Sequence, residues 1–170
     1  IYTLSLHGAL PILEWMASSA LQTGTVTISG EGFETVVVDF GRDSSLSPVL
    51  SGGDAWSAAN IGSEDSPGTV SPTDNITDWC ALTLQKSGAT VADAVFSLSA
   101  WNLFKLDPKL KGAIYYPLLS DQGNVVQPAP MINTGASYMG RWGQLDLWIY
   151  NDWYVDDSNV EQPMLAENTV

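Results

Sequence analysis

The stretch from Gly30 to Trp56 constrains the fold most strongly, because it joins a turn, a strand and an abrupt exit into new structure. Residues 30–32 read Gly-Glu-Gly, a turn sequence, and the β-branched and aromatic residues of Thr35–Phe40 predict a strand. The glycines and polar residues of Gly41–Gly53 then interrupt regular structure. We therefore predict that a small β layer ends, and a larger domain begins, within Gly41–Gly53.

The residues before this stretch predict a helix followed by the first strand of a hairpin. Apolar residues recur at helical spacing over Leu13–Gln22, and Gly24 is a typical residue just beyond a helix end. Thr25–Ser29 is rich in β-formers, and Phe33–Phe40 returns after the turn. The sequence therefore predicts a helix that leads directly into a β-hairpin.

The remainder of the chain mixes helix and strand signals without a regular βαβ rhythm, which favours an α+β fold. A capping pattern begins at Ser71-Pro72, and Gln144–Tyr150 alternates apolar with polar residues as a half-buried strand does. The predicted elements are a short helix over Asp54–Asn60, a helix from Ser71 to Lys86, a strand over Asp93–Leu98, a helix capped by Ser99, extended segments over Gly112–Leu119 and Met164–Val170, a loop over Ser120–Gly135, a strand over Gln144–Tyr150 and a turn over Asp156–Asn159.

The charge balance of the chain disfavours negatively charged binding partners. The 170 residues carry a net charge of −13 with only six Lys and Arg, which disfavours binding to nucleic acid or to anionic membranes. Only 15% of residues are charged, whereas seven are Trp and six are Tyr. Such aromatic residues either fill a core or lie at protein interfaces, and the sequence leaves both interpretations open.

The first twelve residues need separate treatment. Residues 5–12 read SLHGALPI and resemble a translated sequencing adapter, and no initiator Met is present. We therefore expect residues 1–12 to be non-native, and we expect the chain to be cut at its C-terminus because Met164–Val170 ends abruptly. His7 is the only histidine, so the expected native part contains none.

Without a native histidine, and with Cys80 as the only cysteine, the sequence lacks Ser-His-Asp and Cys-His nucleophile systems and Cys/His zinc sites. Phosphate-binding and nucleophile-elbow motifs are also absent from the sequence. We therefore expect neither an enzyme nor a bound cofactor, metal ion or nucleic acid.

Three weaker chemical hypotheses remain, and each competes with an ordinary structural role. Paired carboxylates can hydrolyse glycosides, acidic turns can bind calcium, and tryptophans can form a platform for sugars. The residues concerned are Glu31 with Glu34, Asp39 with Asp43, Asp152 with Asp156, the turn Asp156–Asn159, and Trp142 with Trp148 and Trp153. They define the alternative function of an acidic carbohydrate-binding or carboxylate-dependent hydrolase module.

An ordered set of segments resembles the major capsid proteins of lambda-type tailed phages over nearly all of Glu14–Val170. No single segment is a strong motif, and the resemblance rests on their order. The segments are EWMASSALQTG, GEGFETVVVDFGR, SGGDAWS, SPTDNITDWCALTLQKSG, VFSLSAWNLFK, YMGRWGQLDLWIYNDWYVDD and the closing ENTV.

This resemblance implies the Hong Kong 97-type capsid fold. Residues 13–42 would form the end of the spine helix and the β-hairpin of the peripheral (P) domain. Residues 43–170 would form most of the axial (A) domain, a small mixed sheet flanked by helices and truncated at its C-terminus. The N-terminal arm, the extended (E) loop and the C-terminal return to the P domain are missing, so the chain resembles a middle fragment.

The resemblance further implies a structural subunit that self-assembles into an icosahedral shell around double-stranded DNA. Such a shell forms in the host bacterial cytoplasm and ends in the virion, with scaffold, portal and decoration proteins as further partners. The implied partner of the chain is therefore mainly a second copy of itself. Trp56, Trp142 and Trp153 are the residues that we expect to serve in packing or subunit contacts.

Overall fold

The computed structural model describes residues 6–30, 32–110, 114–115, 135–156 and 158–170, which form an α+β protein. Two compact units divide the chain. The first comprises residues 1–48 and 153–165, and the second comprises residues 49–152 and 166–170. The sequence predicts a single domain over 43–170, whereas the structure groups residues 153–165 with the first unit. The assignment to P and A domains stays a prediction.

The first unit contains helix α1 (Leu6–Thr23) and an antiparallel hairpin of β1 (Thr25–Gly30) and β2 (Phe33–Asp39). The helix ends within one residue of the predicted end, but it begins seven residues before the predicted Leu13. Leucine and alanine favour helix over residues 6–10, and Pro11 removes only one backbone hydrogen bond. The hairpin agrees with the prediction to within one residue at each strand end.

Arg42 fixes the end of α1. Its guanidinium donates hydrogen bonds to the carbonyl oxygens of Leu21 at 2.7 Å and Gln22 at 2.6 Å. These carbonyls have no partner within the helix, and a cation also interacts favourably with the helix C-terminus. The Arg42 side chain lies so near Gly24 that a Cβ there would meet its Cβ at 3.1 Å. Arg42, which follows the hairpin, therefore caps the C-terminus of the helix that precedes the hairpin.

A second short hairpin completes the first unit, with β7 (Trp153–Val155) antiparallel to β8 (Glu161–Pro163). The predicted turn at Asp156–Asn159 connects the two strands, and Asn159 adopts a left-handed φ of 60°. The Met164 carbonyl accepts hydrogen bonds from Ser18 Oγ and from Gln22 Nε2, which ties the end of this hairpin to α1.

Among its described residues, the second unit contains a four-stranded mixed sheet in the order β3-β6-β5-β4. Its strands are β3 (Asp93–Phe96), β4 (Ile114–Tyr115), β5 (Gly135–Trp142) and β6 (Leu145–Asn151). β6 runs parallel to β3 and antiparallel to β5. As predicted, Leu145, Leu147 and Ile149 of β6 are buried, whereas the residues between them are not.

Helices α2 (Ala58–Ile61), α3 (Pro72–Ser87) and α4 (Leu98–Phe104) belong to the same unit. The predicted signals at both ends of α3 are confirmed, since Ser71 Oγ accepts from the Asp74 N–H and Gly88 is left-handed at φ 70°. The core lies between one face of the sheet and α3 and α4. Its buried members are Ile76, Ala94, Phe96, Ala100, Trp101, Phe104, Leu110, Met139, Leu145, Leu147 and Ile149.

Four sequence predictions are corrected by local hydrogen bonds or turns. Ser97, rather than Ser99, caps α4 by accepting from the Ala100 N–H, so β3 ends at Phe96. The helix predicted over Asp54–Asn60 begins later, because Ser57 caps α2 and residues 52–54 form a 3₁₀ turn. Gly135, predicted to end a loop, begins β5.

The predicted extended segment Met164–Val170 is the fourth correction, because it contains bends and a turn with Asn168 at φ 56°. The Asn168 N–H donates to Ser99 Oγ, the Thr169 N–H donates to Ser97 Oγ, and the Thr169 carbonyl accepts from the Ser97 N–H. These bonds hold the segment at the start of α4. The rest of the loop predicted over 120–135, and most of the extended segment predicted over 112–119, lie outside the described residues.

Candidate functional site

Two of the three predicted tryptophans belong to one aromatic cluster. The rings of Trp56 and Trp142 lie 6.4 and 6.2 Å from the ring of Phe104, and Trp56 also stacks on Trp79 at 5.8 Å. Both are half-buried against the core of the second unit. Trp153 is exposed on β7 in the first unit. A role for these three residues in packing or subunit contacts stays a prediction.

The Trp56 side chain is also held by a polar bond. Its indole Nε1 donates to the Asn75 Oδ1 at 2.8 Å, which joins the loop before α2 to the first turns of α3. An indole N–H usually finds such a partner when the ring is buried. The bond fixes the orientation of the ring that covers Phe104.

Asp107 is the buried carboxylate that sequence reasoning missed, and it is only 1% exposed. Its Oδ2 accepts from Ser71 Oγ at 2.9 Å and from the backbone N–H and Oγ1 of Thr73 at 2.9 and 2.8 Å. Its Oδ1 accepts from the Lys109 N–H at 2.9 Å. Burial raises the pKa of this carboxyl, but the four hydrogen bonds outweigh burial and hold its pKa below the usual value. The hydrogen bonds of Asp107 therefore hold the start of α3 against the segment after α4.

The β1–β2 hairpin exposes an apolar face that the sequence analysis did not single out. The register pairs Ile28 with Val36 and Val26 with Val38, so these side chains share one face, which also receives Phe40. Val26 is buried, but the other four side chains are between 39% and 62% exposed. The alternation of polar and apolar residues in β1, together with the register of the hairpin, was the signal that could have identified this face.

The second unit presents a different surface on the side of its sheet away from the core. Arg141 binds Asp146 through two parallel hydrogen bonds of 2.8 Å, and Tyr138 Oη donates to the same carboxylate at 3.1 Å. The guanidinium holds the pKa of Asp146 below its usual value. Trp148 Nε1 donates to Asp93 Oδ1 at 2.9 Å, so the polar groups of this surface bind one another.

The weaker chemical hypotheses receive ordinary structural explanations. Asp156 accepts hydrogen bonds from the Val160 N–H, Gln162 Nε2 and the Ser158 N–H, which lower its pKa and close the β7–β8 turn. Asp43 caps a 3₁₀ turn through the Ser45 N–H. Among the described residues, no three His, Cys, Asp or Glu side chains lie close enough to hold a metal ion.

The structure also bears on the proposed tryptophan platform for sugars and on the proposed carboxylate pairs. Trp142 packs on the core side of its sheet and Trp148 lies on the opposite face, so these two residues do not form a single platform. Glu31, one member of a proposed carboxylate pair, lies outside the described residues. Within the part of the chain that is described, no helix is both long and apolar enough to cross a membrane.

The fold is that of a capsid protein. A solved structure described as the capsid protein of an Escherichia coli CFT073 prophage matches with a TM-score of 0.60 at 19% identity. The match covers 93% of this chain and 43% of the other. The α+β capsid fold expected from the sequence is thereby confirmed.

The chain belongs to the phage major capsid protein E family, whose model matches residues 12–170. Among its relatives, the major capsid protein of Escherichia phage lambda is 30% identical over 157 residues. That of Escherichia phage N15 is 32% identical over 166 residues. Each alignment covers 92% of this chain but only 42% of the relative, so the chain spans less than half the length of these proteins.

Proposed function

We propose that the protein is a structural subunit of the head of a tailed bacteriophage. Many copies associate and close an icosahedral shell around double-stranded DNA. Membership of the family and the names of the relatives support this role, which requires no catalytic step. The subunit resides in the virion after assembly in the host cytoplasm, where scaffold, portal and decoration proteins are its further partners.

The observation that carries this proposal is the apolar face of the β1–β2 hairpin, formed by Ile28, Val36, Val38 and Phe40. A two-stranded sheet is marginally stable in water, and exposed apolar patches mark surfaces that other protein covers. In a shell, neighbouring protein buries such a face. Within the family's architecture, we assign residues 13–42 to the P domain and residues 43–170 to the A domain.

The net charge supports the same role. A chain at −13 repels the phosphates of DNA, so a shell made of it can enclose DNA without binding to it. Only six basic residues are available to neutralise phosphates. The proposal therefore places DNA inside the shell as cargo.

The test uses the longest reading frame that contains residues 13–170 without the adapter sequence, expressed with and without the neighbouring scaffold gene. Velocity sedimentation and negative-stain microscopy then report on shells and capsomer-sized rings. A matched pair of variants asks whether the hairpin matters: Val36→Glu alters the apolar face, and Val37→Glu makes the same change on the opposite face. The two valines are adjacent and similarly exposed, at 53% and 60%.

We expect shells from the wild type and from Val37→Glu, and loss of shells from Val36→Glu, because burying an unpaired carboxylate costs several kcal/mol. Circular dichroism must show that both variants remain folded. A wild type that stays monomeric both with and without scaffold would refute the structural role. Equal assembly of the two variants would instead refute the importance of the hairpin face.

A further inference from the structure

The β1–β2 hairpin of the first unit has a strand edge that is open to further pairing. Among the described residues its sheet contains only these two strands, so one edge of β2 faces away from β1. Every residue from Glu34 to Phe40 is exposed. Such an edge presents a row of backbone N–H and C=O groups with which another strand can pair. We use the term β2 edge for this row.

One backbone hydrogen bond shows which groups belong to the β2 edge. The Phe40 N–H donates to the Gly24 carbonyl at 3.0 Å, which continues the register of the hairpin by one pair. In an antiparallel ladder, hydrogen-bonded pairs alternate with pairs that are not hydrogen-bonded. Val38, two residues before Phe40, therefore turns its backbone groups toward β1. The N–H and C=O groups of Val37 and of Asp39 point outward.

The sequence of β2 lacks the features that usually prevent strand edges from pairing. Proteins protect exposed edges with Pro, with Lys or with bulges that turn the edge away. Phe33–Asp39 reads FETVVVD and contains neither Pro nor Lys, and the register irregularity of the hairpin lies near its turn, between Ile28 and Gly30. Thr, Val and Phe also favour extended structure. The valines of the β2 edge are therefore available to a further strand.

A second copy of the same strand supplies matching groups. An antiparallel pairing centred on Val37, with a two-fold axis, brings the outward groups of the two copies of this residue into reciprocal hydrogen-bonding positions. It also places Val36 opposite Val38 of the second copy, on the face of the hairpin that is already apolar. Two marginal two-stranded sheets thereby become one four-stranded sheet with a continuous apolar face, which is more stable in water.

The charges of the strand favour this antiparallel arrangement. The carboxylates of β2 belong to Glu34 and Asp39, on either side of the three valines. In the register centred on Val37, Glu34 lies opposite Phe40. Asp39 lies opposite Thr35, so no carboxylate lies opposite another. A parallel pairing in register would place each carboxylate beside its own copy, and like charges in neighbouring positions are destabilising. The charge pattern of β2 is therefore complementary to a second, antiparallel β2.

We propose that the chain self-associates through the β2 edge, by antiparallel pairing of β2 with the β2 strand of a second copy. The contact goes beyond the proposed shell function, because it forms between free chains and is not needed to close a shell. It also differs in kind from the apolar face of the hairpin, because backbone groups rather than side chains form it.

The test compares proline substitutions at two residues that lie opposite each other in the hairpin. The register pairs Thr27 with Val37, so both residues turn their N–H groups away from the hairpin, toward opposite edges. Val37→Pro removes an N–H from the β2 edge, and Thr27→Pro makes the matching change on the edge of β1. Neither change removes a hydrogen bond between β1 and β2. Sedimentation equilibrium of the 170-residue chain measures the dissociation constants, and circular dichroism establishes that both variants are folded.

Amide hydrogen exchange of the unsubstituted chain, followed by NMR at several concentrations, provides a second measurement that no folding defect can affect. The Val37 N–H should exchange rapidly in dilute solution and at least about tenfold more slowly as the chain associates. The Thr27 N–H should exchange rapidly at every concentration. The Val38 N–H, which points toward β1, reports that the hairpin is formed.

We expect the wild type to form dimers. Val37→Pro should raise the dissociation constant about tenfold or more, because it removes both reciprocal hydrogen bonds at the centre of the contact. Thr27→Pro should leave the dissociation constant within about twofold of the wild-type value.

Three results would overturn the proposal: a wild type that stays monomeric, equal dissociation constants for the two folded variants, or a Val37 exchange rate that does not depend on concentration. If Val37→Pro does not fold, the exchange rate alone decides. None of these results bears on the shell function, which the assembly of the longer reading frame tests separately.

Discussion

Removing the Asp107 carboxylate should strongly destabilise the second unit, because this buried group holds two segments of the chain together. The carboxylate accepts four hydrogen bonds from the start of α3 and from the segment after α4. In Asp107→Ala, the N–H and the hydroxyl of buried Thr73 lose their acceptor. Ser71 and Lys109 are less buried, so water can replace part of what they lose.

The expected magnitude follows from the two buried donors. A buried polar group left unpaired costs about 1–3 kcal/mol, so the loss of the acceptor for two such groups should lower the free energy of unfolding of Asp107→Ala by about 2–6 kcal/mol. Asp107→Asn retains the shape and one carbonyl oxygen, but it turns an amide N–H₂ group toward donors. We expect about 2–3 kcal/mol for this change. For a chain of this size, a loss of about 3 kcal/mol corresponds to a fall in Tm of about 6–12 °C.

The assay is urea unfolding followed by tryptophan fluorescence, with Asp74→Asn as the control. Asp74, at the start of α3, forms an exposed ion pair with Lys109, and solvent screens such a pair, so its loss should change the free energy of unfolding far less. Equal effects of Asp107→Asn and Asp74→Asn would refute the importance of the buried network.

The pH dependence gives an independent check. The hydrogen bonds lower the pKa of folded Asp107 below its unfolded value, so the stabilisation is fully present above the unfolded pKa of about 3.9. It is lost as the pH falls through the folded pKa. The difference in unfolding free energy between wild type and Asp107→Asn should therefore shrink below about pH 4. A difference that stays constant down to about pH 2 would contradict this account.

Three further changes test other contacts of the second unit by thermal unfolding. Gly68→Ala should lower the Tm strongly, because its Cβ would lie 1.9 Å from a backbone carbonyl oxygen, whereas Gly53→Ala meets nothing within 4 Å and should not. Trp56→Phe should cost about 1 kcal/mol through loss of the indole hydrogen bond to Asn75, and a neutral result would contradict that bond's contribution. Ser97→Ala removes the cap of α4 and should lower the free energy of unfolding by about 1–2 kcal/mol. It should also speed hydrogen exchange at residues 168–169, because the Thr169 N–H loses its bond to Ser97 Oγ, and unchanged exchange would contradict a role of Ser97 in holding that segment.

The candidate assembly surfaces could be predicted from the sequence only in part. Alternation along β2 and β6 indicates which residues share a face, because successive side chains of a strand point to opposite sides. It does not indicate which face is covered. For β6 the core takes the face that bears Leu147 and Ile149, whereas on the hairpin the apolar residues Val36 and Phe40 remain exposed.

Local signals in the sequence determined both ends of α3. Ser71, Pro72 and Gly88 bound α3 through bonds and backbone angles that involve only near neighbours, so the sequence contains the necessary information. The β1–β2 hairpin likewise joins strands that are neighbours in the sequence. The class of fold also followed from the order of segments, as the capsid structure bears out.

Only the tertiary structure decided the contacts between distant segments. The parallel pairing of β3 with β6 joins Asp93 to Asp146, far apart in the chain, and the bonds of Asp107 to Thr73 span 34 positions. Residues 153–165 join the first unit although the chain around them belongs to the second. No local period encodes such pairings, because they depend on which surfaces bury the most apolar area once the chain has closed its loops.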